Sequence, residues 1–263
     1  MNDPKLAAKV DHKVDHKVDY LLRQGDNALI LSQQLSQLCG KGPALEEDMA
    51  LTNVALDLLG QTRMWYAYAA ELEGKGRSED DIAFLRDASA LRCCLIVEQP
   101  NGNYADTMVR QFLFDTWHYF YMQALMQSTD PRLVEIAAKS IKEVTYHLRR
   151  SGDLIVRMGD GTAESHAKTQ AAVNNLWPYW GEMFKYDAID QAMLLEGVAP
   201  DADALRAEFI EHVGEILSEA TLSMPPADAW MHGGGKKGIH SEHLGFILAE
   251  MQFLQRAYPG AEW

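Results

Sequence analysis

The chain has 263 residues, 47% of them hydrophobic and 24% charged, the balance of a folded globular protein and unlike that of a disordered or collagen-like chain. Lys and Arg total 24 against 38 for Asp and Glu, and the formal charge of −14 argues against nucleic acid or an anionic membrane as a partner. Cys39, Cys93 and Cys94 form no CxxC, so neither a disulfide framework nor a cysteine-rich zinc site is implied, and a reducing, cytoplasmic setting is expected.

The opening segment repeats VDHK at Val10 to Lys13 and Val14 to Lys17, where little can be buried, so residues 1–18 are expected to form a flexible tail. It lacks the apolar core of a signal peptide, and no later stretch approaches the ~20 apolar residues that a membrane span needs. From Tyr20 to Leu38, apolar residues at Leu22, Leu29, Leu31, Leu35 and Leu38 recur at helical spacing until Gly40-Lys41-Gly42-Pro43 ends the run. A second helix is expected over Leu45 to Glu73, with Leu51, Val54, Leu58, Met64 and Trp65 inward, and a third over Glu79 to Val97. The turn Gln99-Pro-Asn-Gly-Asn103 precedes an aromatic helix from Tyr104 to Gln127.

Asp130-Pro131 opens a fifth helix, proline occupying a first turn where its missing N–H costs nothing, and Leu133, Ala137, Ile141, Val144, Leu148 and Ile155 form its stripe up to Gly159. Further helices are expected over Ala163 to Phe184, Asp203 to Leu222 and Ser241 to Arg256, with a long loop from Pro225 to Lys237. No period-2 strand pattern occurs. Long helices joined by short connections, apolar along one stripe, describe an all-α helical bundle in a single domain, residues 19–263, with additional C-terminal helices.

Bundles of this kind hold di-iron sites between inward carboxylates and two Glu-x-x-His pairs, about six ligands in all. In the frame ending at His147 the glutamate position is Val144. Glu143 stands one residue away, rotated by ~100° on a helix, and the stripe places His147 ~80° and Glu143 ~120° from its centre. The segment Ala55-Leu-Asp-Leu-Leu-Gly-Gln61 supplies no histidine. Asp26, in Gly25-Asp-Asn27, reads as a local polar bend. Asp115 lies on a ridge with Phe112 and Tyr119, and His118 at i+3 can serve as its structural partner; the alternative is that Asp115 acts as a metal ligand or an acid-base group with a raised pKa.

Glu208, Glu211, His212, Glu215 and Glu219 follow the solvated side of a helix, and His240 and His243 could pinch a metal as i and i+3 but, without further nearby donors, read as polar residues at a helix start. The glycine-rich run Gly233 to Gly238 carries Lys236 and Lys237, which could contact an anion such as phosphate or a partner chain, although the P-loop spacing is absent. No nucleophile elbow and no dinucleotide fingerprint occurs.

Several stretches together are familiar: Arg23-Gln-Gly-Asp-Asn27, Ala55 to Gln61, Val97-Glu-Gln-Pro-Asn-Gly-Asn103, Ile141-Lys-Glu-Val-Thr-Tyr-His-Leu148, Gly234 to Gly245 and Ala249 to Arg256. Over residues 19–263 the chain resembles the PaaC-type subunits of bacterial phenylacetyl-CoA 1,2-epoxidase. The resemblance implies a ferritin-like bundle that serves as a non-catalytic structural subunit beside a PaaA-type catalytic chain, which carries the di-iron site and most of the contacts to phenylacetyl-CoA. It also implies dioxygen as co-substrate, and a separate flavin and iron-sulfur reductase with accessory subunits as further partners. Carried over by position, the catalytic chain's two Glu-x-x-His pairs fall on Val144 with His147 and near Leu58 with Gln61. Asp115 matches an acidic position and Ala28 replaces a first-helix acid. Asp115, Glu143 and His147 are then the remnant of a metal site, with no metal or cofactor expected in this chain. Two alternatives remain open: a di-iron oxygenase using Asp115, Glu143 and His147 itself, and a CoA-ester binding protein.

Overall fold

The structure, a computed structural model, describes residues 4–226 and 228–261, with side chains from Asp15 onward. Helices α1 (Pro4–Ser36) and α2 (Leu45–Glu73) pack along their length as one hairpin, and α4 (Tyr104–Leu125) and α5 (Pro131–Gly159) form a second. Contacts between α2 and α5 join the hairpins. The short α3 (Glu79–Phe84) begins the crossover between them, which runs on to Asn103. Two hairpins linked by one long crossover define the ferritin-like arrangement of four core helices. Around it lie α6 (Ala163–Leu176), α7 (Ala188–Leu195), α8 (Ala202–Glu219), α9 (Glu242–Met251) and α10 (Phe253–Ala257). Of these, α6 and α8 pack on α4 and α5, whereas α7 and α9 pack on α1. No strand occurs among the described residues, and none of their helices is long and apolar enough to cross a membrane.

Local chemistry fixes the ends of the core helices. Asn103 accepts hydrogen bonds from the Ala105 and Asp106 amides while Asp106 accepts one from the Asn103 amide, a reciprocal cap on α4. Asp130 caps α5 with Pro131 behind it, and Gly74, at φ 63°, closes α2 in the left-handed conformation. The expected stripe of α5 is buried at Leu133, Ala137, Val144, Leu148 and Ile155. Gly25 serves a different purpose: a Cβ there would stand 2.4 Å from the Tyr66 ring, so glycine lets α1 and α2 approach closely.

Four expectations change. The segment expected to be a tail is helical from Pro4 onward, because no glycine or proline interrupts the chain between there and the buried Val18, and Lys17 is tied to Asp130 at 2.7 Å. Residues 1–3 lie outside the described part. The third helix stops at Phe84 instead of Val97. The expected helix over Ala163 to Phe184 turns into a tighter 3-10 stretch at Trp177–Phe184, where Pro178 can donate no backbone hydrogen bond. Unforeseen α7 is set by Asp187 and Asp190, which form a capping box within only eight helical residues.

Candidate functional site

At the centre of the bundle, Asp115 on α4 is 1% exposed and accepts a 2.6 Å hydrogen bond from Gln111, one turn earlier. His118 is not its partner; that ring packs against Phe114 and Trp117, with centroids 5.1 and 6.0 Å away. Burial pushes the Asp115 carboxyl up to about 6, with the neighbouring His147 opposing the rise. Burial also drives His118 down to about 3, and His147 adds to that fall, so His118 is neutral. From α5, buried His147 reaches back to α2, its Nε2 3.0 Å from Asp57 Oδ2. Half-buried Glu143 accepts a 3.1 Å hydrogen bond from Gln61 of α2.

Each expected remnant residue thus has its own local partner, and these pairs stitch α2 to α5 and brace α4. The positions carried over from Glu-x-x-His pairs hold Val144 and Leu58, both fully buried apolar side chains, and Gln61. Asp115 Oδ2, His118 Nδ1 and His147 Nδ1 are buried without a protein hydrogen-bond partner. They do not gather into a ligand set, however. Among the described residues, the three-donor group whose atoms lie within 4.8 Å of one another is Cys93, Glu98 and His240, in the crossover. One aspartate and two separated imidazoles do not fit a pair of iron ions, which needs about six converging donors.

The crossover is the second polar centre. From Leu91 to Gln99 it runs inside the protein without helix or sheet, apart from the half-buried Arg92, so its backbone groups need side-chain partners. Asp26 Oδ2 accepts from the Arg92 amide at 2.6 Å, Asn27 Oδ1 from the Cys94 amide at 2.7 Å, and Glu182 Oε2 from the Leu95 amide at 2.9 Å. Gln34 donates to the carbonyls of Glu98 and Gln99, at 3.0 and 2.9 Å. Asp26 also takes a hydrogen bond from Tyr66 and an ion pair from Arg86, all of it buried. The acid expected at a local bend instead lies mid-helix in α1 and anchors the crossover. The sequence carries a signal for this: Asp26 shares a helical ridge with Leu22, Leu29 and Ile30, and a charge on an apolar ridge requires a partner.

The glycine-rich loop packs onto this crossover. A Cβ at Gly235 would stand 2.1 Å from the Cys93 carbonyl oxygen and one at Gly238 2.2 Å from that of Ser89, so the glycines serve backbone contact and not a phosphate cradle. Lys236 is committed inward, its ammonium 3.0 Å from Asp190, which Arg23 also meets at 3.0 Å. Lys237 is exposed. Glu208, Glu211, Glu215 and Glu219 are exposed on α8 as expected, whereas His212 of the same set is half-buried beside Phe112 and Phe120. His240 and His243 part company: His240 Nδ1 lies 3.2 Å from Glu98 Oε2.

A model of the phenylacetic acid catabolic protein family, PaaA/PaaC, matches residues 4–263. The chain belongs to this family, which has the ferritin-like helical fold described above. It is similar to the PaaC subunit of the 1,2-phenylacetyl-CoA epoxidase of Escherichia coli (strain K12), with 51% identity over 244 residues, covering 93% of this chain and 98% of that protein.

Proposed function

We propose that the chain is the non-catalytic structural subunit of a phenylacetyl-CoA 1,2-epoxidase, pairing with an iron-bearing catalytic chain in aerobic phenylacetate degradation. The observation that carries this reading is the filling of the ligand positions: Val144, Leu58 and Gln61 are buried where donors would stand, and Asp115, Glu143 and His147 are engaged in separate pairs. Its similarity to a protein named as one subunit of an epoxidase supports membership in a heteromeric assembly. So does the outer side of α2, where Leu45, Met49, Leu56 and Leu59 are 72%, 58%, 60% and 38% exposed. An apolar stripe on the outward side of a core helix marks a surface made to be covered. In this reading the phenylacetyl-CoA and the oxygen chemistry reside mainly on the catalytic chain, electrons arrive from a separate reductase, and the complex works in the cytoplasm.

Co-expression with a PaaA-type chain tests it. The two chains are expected to co-elute from gel filtration, with iron following the partner and almost none in this chain purified alone. Leu56→Glu combined with Leu59→Glu should abolish co-elution while leaving the helical circular-dichroism signal intact. A chain that retains about two iron ions by itself would overturn the reading in favour of an oxygenase in its own right.

A further inference from the structure

Cys93, Glu98 and His240 come from two segments far apart in the chain, and each is prepared in the way metal ligands are. Cys93 and Glu98 are fully buried, and the His240 side chain is 5% exposed. His240 Nε2 lies 3.1 Å from the Leu91 carbonyl oxygen, to which it donates, and this turns Nδ1 toward the other two residues. Glu98 Oε1 accepts from the Ser241 amide at 2.8 Å, which leaves the buried Oε2 facing His240 Nδ1 at 3.2 Å. A ligating imidazole whose second nitrogen is fixed by a backbone carbonyl, and a carboxylate whose second oxygen is fixed by an amide, are the usual outer supports of a metal site.

The spacing agrees. Zinc bonds of about 2.0–2.1 Å to nitrogen and oxygen and about 2.3 Å to sulfur, at tetrahedral angles, place nitrogen and oxygen about 3.3 Å apart and sulfur and nitrogen about 3.6 Å apart. Here His240 Nδ1 is 3.2 Å from Glu98 Oε2 and 3.9 Å from Cys93 Sγ. On binding, the Cys93 thiol gives up its proton to solvent, and one thiolate, one carboxylate and a neutral imidazole then balance a divalent cation in a buried setting.

We propose that Cys93, Glu98 and His240 bind a zinc ion that clips the crossover to the loop preceding α9, with a solvent oxygen as fourth ligand. The site lies outside the bundle centre and does not depend on the chain's role in an epoxidase. It departs from the expectation that this chain holds no metal, which the experiment below tests. Its function is structural: the ion joins segments 147 positions apart where backbone pairing is sparse.

Elemental analysis of the full chain, purified without an affinity tag and dialysed against metal-free buffer, should find about one zinc per chain. Replacement of zinc by cobalt(II) should produce a thiolate-to-cobalt charge-transfer band, which reports the metal–sulfur bond directly. Cys93→Ser should remove the band and lower zinc content at least about tenfold, whereas Cys39→Ser should change neither. If Cys93→Ser fails to fold, the wild-type cobalt spectrum and His240→Gln decide the matter. A wild-type chain with no metal–sulfur band, or one whose zinc persists undiminished in folded Cys93→Ser, would refute the site.

Discussion

Asp26→Ala is expected to lower the unfolding free energy by about 3–5 kcal/mol, the usual effect of removing one partner of a buried ion pair. The carboxylate is 0% exposed and takes the Arg86 guanidinium, the Tyr66 hydroxyl and the Arg92 amide together. Its removal strands a buried cation and leaves a backbone N–H without an acceptor, and both desolvation penalties fall on the folded state alone. At about 2–4 °C per kcal/mol for a chain of this size, the melting temperature should drop by roughly 10 °C, and urea unfolding should give the free energy directly. The double variant with Arg86→Met should recover part of the loss, because the stranded charge is gone. A single-variant loss below about 1 kcal/mol would mean that the crossover does not depend on this anchor.

Asp115→Asn should act in the opposite direction, and only above a certain pH. A carboxyl whose folded value is about 6, against about 3.9 in an unfolded chain, destabilises the fold wherever it ionises. The penalty is absent below about pH 4, grows as pH rises from about 4 to about 6, and is constant above that. Two pKa units correspond to about 3 kcal/mol, which sets the upper limit of the gain expected for the asparagine variant at about pH 8. His118 contributes with the other sign, since a value near 3 against about 6.5 unfolded costs stability as pH falls through that range. Both proteins share that loss. Denaturant titrations should therefore show the variant's advantage closing between about pH 6 and about pH 4, and an advantage independent of pH would contradict a raised carboxyl at this position.

What can be read from the sequence divides along one physical line. Helices α2 and α5 are found at their expected boundaries because the apolar stripe, the proline at the start of α5 and the glycine after α2 are all local signals. The crossover departs from the helix expected there because Leu91, Ile96 and Val97 suit a helix as readily as a buried irregular stretch of chain, and periodicity does not distinguish the two. Its true partners, Asp26, Asn27, Glu182 and His240, are remote in sequence. Likewise Asp115 is recognisable as a charge on an aromatic ridge, but its partner is Gln111, one turn earlier, and not His118, one turn later. Cys93, Glu98 and His240 belong to separate motifs in the sequence, and only the docking of Gly235 on the crossover brings them together.

The crossover also constrains the order in which the protein can be built. Each helical hairpin closes a short turn and gains contacts at once, whereas the bonds from the 91–99 stretch to α1, Glu182 and His240 reach across 64 to 149 positions. Loop-closure entropy must be spent before any of them forms, so the two hairpins can assemble early while this stretch waits for α1, the Trp177–Phe184 turn and the approach to α9 to arrive. The last piece to set is then the one that joins the halves, and a ribosome must release the chain through His240 before the seam can close.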